Sequence, residues 1–72
     1  MDNFGIFIKK KEFLKLLVDR DMSITECAGN LDVSRRTLYN HIRHGKAVSP
    51  KTAHDVRKTL ECEFDTIFSL VV

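Results

Sequence analysis

Apolar side chains recur along this chain at helical spacing. Phe13, Leu14, Leu17 and Val18 stand at i, i+1, i+4 and i+5, one stripe flanked by Lys10, Lys11, Lys15 and Asp19. This predicts a first helix from Lys9 to about Asp21. Ile24, Cys27, Ala28 and Leu31 repeat at i, i+3, i+4 and i+7 and predict a short second helix. Its start is marked by Ser23 with Glu26 three residues on, the pairing of a capping box, and by Met22 and Cys27 as a hydrophobic staple. Only Asp32 and Val33 separate this helix from the next cap, Ser34, which opens a third helix through Arg43. Two short helices joined by so tight a turn must cross steeply, and that is a helix-turn-helix. Gly45 is placed to end the third helix as a C-cap glycine. Ser49-Pro50 opens a fourth helix, with Ala53, Val56 and Leu60 as its core face. A fifth short helix is expected from about Phe64 to Leu70, with Phe64, Ile67 and Phe68 turned inward. The apolar stretch Met1–Ile8 is too short for periodicity to decide among strand, helix start and docking arm.

Length and composition agree with an all-α reading. Seventy-two residues make a single domain (1–72), with an N-terminal arm at 1–8 and the helix-turn-helix at about 23–44. A chain this short buries only about 60% of the surface its unfolded form exposes, so the core is thin. One proline and three glycines leave little room for strand-and-turn architecture. No apolar run approaches the roughly 18 residues that span a bilayer, and Asp2 stands where a signal peptide carries positive charge. The expectation is a cytoplasmic protein with no membrane partner. Cys27 and Cys62 are 35 positions apart with no CxxC pairing, and are expected to be small buried hydrophobes.

Charge sharpens the picture. The net charge of +2 hides a partition. Residues 1–33 carry five Lys/Arg against six Asp/Glu, and residues 61–72 carry none against three. Residues 34–60 carry seven (Arg35, Arg36, Arg43, Lys46, Lys51, Arg57, Lys58) against Asp55 alone. Positive charge concentrated in the middle third is what a polyanion-binding face requires.

The block Ser23–Gly45 meets the steric demands of a helix-turn-helix in register. Ala28 is small where the helices touch. Asp32 can take the positive φ of the turn. Val33 plugs the turn, Ser34 caps, and Leu38 enters the core one turn later. The run Ala28-x-x-x-Asp32-Val33-Ser34-x-x-Thr37-Leu38 resembles the helix-turn-helix of the Cro and repressor superfamily. Glu63–Phe68 looks like the fifth helix that closes such domains, and Val33-Ser34 through Thr52 is similar in rhythm to the headpiece of lactose-repressor-type proteins. A full helix precedes the motif and no sensor domain follows. The resemblance covers residues 9 to 70 and fits best the small Cro-like, modulator-of-repression proteins of temperate phages of lactic acid bacteria. It implies a five-helix, lambda-repressor-like domain and a regulator of a lysis/lysogeny-type switch.

On that resemblance the recognition helix runs from Ser34 to His44. Arg35, Arg36 and Asn40 match positions that face base edges, where arginine offers a bidentate fork to guanine and asparagine to adenine. Thr37 and Tyr39 are within reach of phosphate or a thymine methyl. Arg43, His44, Lys46 and Lys51 fall where the loop and the fourth helix meet the DNA backbone. Two cations at a helix start oppose the macrodipole at about 0.3–1 kcal/mol each, a placement that a ligand explains better than stability does. Two features depart from the family pattern. Ile24 stands where a phosphate-binding glutamine is frequent, and Gly29 inside the second helix costs about 1 kcal/mol relative to alanine.

Two partners follow. The first is double-stranded DNA, bound alone or as a homodimer. The second is the N-terminal DNA-binding domain of a phage repressor, met by Ile24, Arg35, Arg36 and Tyr39, which would make the protein an antirepressor. His41 and His44 lack a third ligand at fitting spacing, so no metal and no cofactor are expected; His41 is expected to be a partly buried packing residue. No nucleophile with a base and orienter, and no paired carboxylates, suggest catalysis, so the protein is not expected to be an enzyme.

Overall fold

The computed structural model describes residues 4–72. In chain order the elements are β1 (Gly5–Ile8), α1 (Lys10–Asp19), α2 (Ile24–Leu31), α3 (Arg35–Arg43), α4 (Pro50–Leu60), α5 (Phe64–Ile67) and β2 (Phe68–Val71). Among the described residues the fold is mostly helical, with the five expected helices and two short strands.

The helix starts follow from their serines. Ser23 Oγ accepts the Glu26 amide at 3.1 Å while Glu26 Oε1 accepts the Ser23 amide at 2.9 Å, the reciprocal capping box. Ser34 and Ser49 cap α3 and α4 through the amides of Thr37 and Thr52, at 3.0 and 3.1 Å. Pro50 takes the first turn of α4, where its missing N–H costs nothing.

Three helix ends share one device. The amides of Met22, Val33 and Cys62 reach back five residues to the carbonyls of Leu17, Ala28 and Arg57, at 2.9, 3.1 and 3.2 Å. The residue before each amide is left-handed: Asp21 (φ 52), Asp32 (φ 59) and Glu61 (φ 52). These are Schellman ends built on acids where glycine is usual. At α2 this turn directs Val33 onto the core and the chain into α3. Gly45, at φ +66, turns the chain after α3.

The core gathers one face of every element. Phe13 and Leu17 come from α1, Cys27, Ala28 and Leu31 from α2, Leu38 and Ile42 from α3, and Ala53, Val56 and Leu60 from α4. Ile67, Phe68, Val48 and Ile6 complete it, and among the described residues no polar or charged side chain is buried. Phe64 is half-buried and stacks on Phe68 with ring centroids 5.2 Å apart.

Two expectations are corrected, and one segment left open by the sequence is decided. Val18 is not in the core stripe: it is 77% exposed, and Leu16 packs on the core in its place. Val18 is still within α1, which runs to Asp19, and the step of about 100° from buried Leu17 turns its side chain away from the core. The fifth helix does not reach Leu70. It stops at Ile67, and Phe68–Val71 is extended because it pairs with the amino-terminal segment. The arm is therefore a strand from Gly5, antiparallel to β2 with Gly5, Ile6, Phe7 and Ile8 opposite Val71, Leu70, Ser69 and Phe68. The part of the arm at Met1–Asn3 lies outside the described residues. The sheet ties the two ends of the chain together, and the Val48 amide adds a bond to the Ile6 carbonyl at 2.7 Å.

Candidate nucleic-acid interface

α3 is the least apolar of the long helices and enters the core only through Leu38 and Ile42. Everything else on it faces outward or lies at the rim. Ser34, Arg35, Arg36, Thr37, Tyr39 and Arg43 are exposed, and Asn40 and His41 are half-buried. No acidic residue lies between Val33 and Ser49, so the positive charges of Arg35, Arg36, Arg43 and Lys46 are uncompensated along the sequence there.

Local bonds fix several of these groups. Ser34 Oγ donates to Thr37 Oγ1 at 2.8 Å, so the two hydroxyls hold each other while the threonine methyl stays free. Arg43 Nη1 donates to the Tyr39 hydroxyl at 2.9 Å, and its guanidinium carbon lies 5.6 Å from the ring centre. The phenol is thus anchored one turn further along the helix. Arg35, Arg36 and Tyr39 wall an open hollow of about 470 Å³ on the outer face of α3.

Beyond α3, His44 is its C-cap and Lys46 stands exposed in the following loop. The Lys46 carbonyl lies 3.1 Å from Nδ1 of half-buried His41. That oxygen can only accept, so the ring proton belongs on Nδ1, and His41 pins the loop rather than serving as a ligand. Lys51 pairs with Asp55 at 3.0 Å while its side chain is 86% exposed. So exposed an i,i+4 pair is worth about 0.3–0.5 kcal/mol and exchanges readily for a stronger anion. Arg35, Arg36, Thr37, Tyr39, Asn40 and Arg43 therefore share α3, with Ser34 and His44 as its caps. Lys46 and Lys51 lie on the loop and on α4.

Ile24 sits at the first position of α2 but is half-buried against the core, so only part of its side chain is on offer to a partner. No group of three His, Cys, Asp or Glu residues able to hold a metal occurs among the described residues. Both cysteines are free. Burial pushes the Cys27 thiol up to about 11. Burial also raises that of half-buried Cys62, against the opposing charges of Arg20 and Arg57. Neither is a thiolate at neutral pH. No helix among the described residues is long and apolar enough to cross a membrane.

Sequence reasoning missed two contacts. The Arg43–Tyr39 pair is an i,i+4 contact, and that spacing on a helix could have disclosed it. The Arg20 clamp on α4, with Nε donating to the Leu60 carbonyl at 3.0 Å and Nη2 to that of Glu61 at 3.3 Å, spans forty residues and has no local signal.

The tight pairing of α2 and α3, with a small residue at the contact and an exposed basic helix after the turn, defines a helix-turn-helix domain of the transcriptional-regulator type. The fold is similar to that of the transcriptional regulator VanUg in its crystal structure, with a TM-score of 0.74 and 27% sequence identity over 93% of this chain and 88% of that one. No family model and no curated protein matches the chain.

Proposed function

We propose that this chain is a transcriptional regulator that binds double-stranded DNA by laying α3 in the major groove. The observation that carries this reading is the outer face of α3, where Arg35, Arg36, Asn40 and Arg43 project with no acid among them. Arg35, Arg36 and Asn40 read base edges. Ser34, Thr37, Tyr39, Arg43, His44, Lys46 and Lys51 meet the backbone and sugar edges on either side, and fix the register. The likeness to a transcriptional regulator over nearly the whole chain supports the same reading. The role is binding without catalysis, and it requires no cofactor.

Salt tests it. With about three cationic contacts to phosphate, from Arg43, Lys46 and Lys51, the slope of log K against log salt should be near −2.7. A labelled duplex titrated across a salt series measures this. Binding that is absent at low salt, or indifferent to salt, removes the direct DNA reading.

The finer reading is a regulator of a temperate phage's lysis/lysogeny switch. Within it the hollow walled by Arg35, Arg36 and Tyr39 favours a second partner. It offers an acidic side chain two guanidinium groups and an aromatic wall, which is what docking on a repressor's DNA-binding domain needs. Half-buried Ile24 contributes only an edge to such a contact. A mobility-shift assay on switch-region DNA, run with and without the purified repressor domain, separates the two. Under the DNA reading the shift needs no repressor. Under the antirepressor reading this chain removes the repressor's own shift.

A further inference from the structure

Of the arginines on α3, Arg43 alone among the described residues has its guanidinium bonded. Its Nη1 donates to the Tyr39 hydroxyl at 2.9 Å, and its guanidinium carbon lies 5.6 Å from the ring centre. Both side chains are exposed and neither belongs to the core, so the fold does not depend on the pair. An exposed arginine otherwise samples many rotamers, and holding it in one costs entropy. A carboxylate could hold it, but would also cancel its charge; among the described residues the one ion pair is Lys51–Asp55. An uncharged phenol has a different effect. It fixes the direction of the guanidinium and leaves the positive charge unspent.

Position along the helix says what that charge serves. Arg35 opens α3 and Arg43 ends it, so the two are about 12 Å apart along the axis at the usual rise. The major groove is about 12 Å wide. With the first turn of α3 against base edges, the last turn stands at the groove wall, where the phosphates are. Only one N–H of the Arg43 fork is given to Tyr39, and the rest remain free for a phosphate, in directions that the planar group fixes once one of them is held.

We propose that Tyr39 is a positioning residue for Arg43: its hydroxyl presets the guanidinium for one DNA phosphate and so sets the strength of binding on every sequence alike. This rests on the reading of α3 as the groove-binding helix. Tyr39 acts on DNA through Arg43 and reads no base of its own. The advantage is preorganisation, since the rotamer freedom of Arg43 is given up in the free protein and not at the moment of binding. Arg35 and Arg36 keep unbonded guanidinium groups and can adjust to the base edges they read. The phosphate contact behind them is ready-made, and it carries no sequence information.

A labelled duplex of arbitrary sequence serves as the probe, because the contact is to phosphate. Anisotropy titrations at low salt compare the full chain with Tyr39→Phe, Arg43→Ala and the double variant. Tyr39→Phe keeps the ring and removes only the hydroxyl; it should weaken binding about threefold, and Arg43→Ala at least about tenfold. In the Arg43→Ala chain Tyr39→Phe should cost nothing further, because no guanidinium is left to position. Salt separates the two roles again. Arg43→Ala removes a phosphate contact and should flatten the slope of log K against log salt by about 0.9, whereas Tyr39→Phe keeps the contact and should leave the slope unchanged. Without DNA, the Arg43 Nε–H signal in NMR spectra should shift on Tyr39→Phe, while circular dichroism stays the same for all four chains. Four results overturn the proposal: a Tyr39→Phe chain that binds like the parent, a loss that persists in full in the Arg43→Ala chain and so gives Tyr39 a contact of its own, an Arg43 signal indifferent to Tyr39→Phe, or a loss of helix in Tyr39→Phe that makes the role structural. A parent chain that binds no duplex at low salt refutes the reading of α3 and the proposal with it; a parent that binds, with any of those four results, refutes the proposal alone.

Discussion

Replacing Gly29 by alanine should stabilise this domain. Gly29 lies inside α2, between Ala28 and Asn30, and is exposed. A methyl group built on its Cα would meet nothing within 4 Å, so no neighbour has to move. Its φ is helical, and its carbonyl keeps accepting the Asp32 amide at 3.2 Å whatever the side chain. What remains is the difference in backbone freedom lost on folding, about 0.5–1 kcal/mol in favour of alanine. For a domain of this size each kcal/mol moves Tm by about 4–8 °C, so the gain should be about 2–8 °C. Thermal melts followed by circular dichroism at 222 nm, with urea titrations as a second measure, would read it. Gly45→Ala is the internal control. Its φ of +66 forces alanine into the left-handed region, so it should lose about 1 kcal/mol although its surroundings are equally open. A Gly29→Ala protein that melts at or below the parent would refute the reasoning. α2 would then need the glycine for a backbone geometry that its helical contacts do not reveal.

Two further outcomes bear on the frame and the interface. Arg20→Ala frees the carbonyls of Leu60 and Glu61 at the end of α4 and should cost about 1 kcal/mol in a urea melt; an unchanged midpoint would mean that water replaces the clamp fully. Arg35→Ala, Arg36→Ala and Asn40→Ala should each cost about 1–3 kcal/mol on the cognate site and little on random duplex, whereas Lys46→Ala should weaken both alike. Equal losses on both duplexes from the arginine variants would make those side chains phosphate clamps.

What could be foreseen in this chain was local. The serine caps at 23, 34 and 49 act over three residues, so Ser-x-x-Glu and Ser-Pro carry their structure with them. The positive φ at Asp32 was readable because the spacing between Ala28 and Ser34 leaves one residue to turn the chain. The sheet was not readable. Ile6 and Leu70 are partners across sixty-four positions, and either four-residue segment alone is compatible with helix or strand. Phe64 to Leu70 shows why: its apolar residues, with Asp65, Thr66 and Ser69 between them, suit a last helix equally well, and only pairing with β1 turns its second half into a strand. Val18 was misplaced because a stripe drawn from spacing assumes that the helix stays against the core to its last turn. On the outer face of α3, the site residues could be placed from sequence because Leu38 and Ile42 fix which side points in. The hydrogen bond that anchors Tyr39 to Arg43 was left out of that placement.

How α3 is held matters as much as what it displays. The helix brings only two side chains to the core, and its first turn carries two cations against the macrodipole, so little of its stability is its own. Its position is set from both ends instead. On one side the Val33 amide bonds back to Ala28, and Val33 packs on the core. On the other, Gly45 turns the chain and His41 holds the Lys46 carbonyl. The loop then returns to the sheet, where Val48 is buried and bonded to Ile6. The contact between chain ends in β1 and β2 thus reaches α3 through one short loop, and whatever orders the sheet also orders the C-terminal anchor of the basic helix.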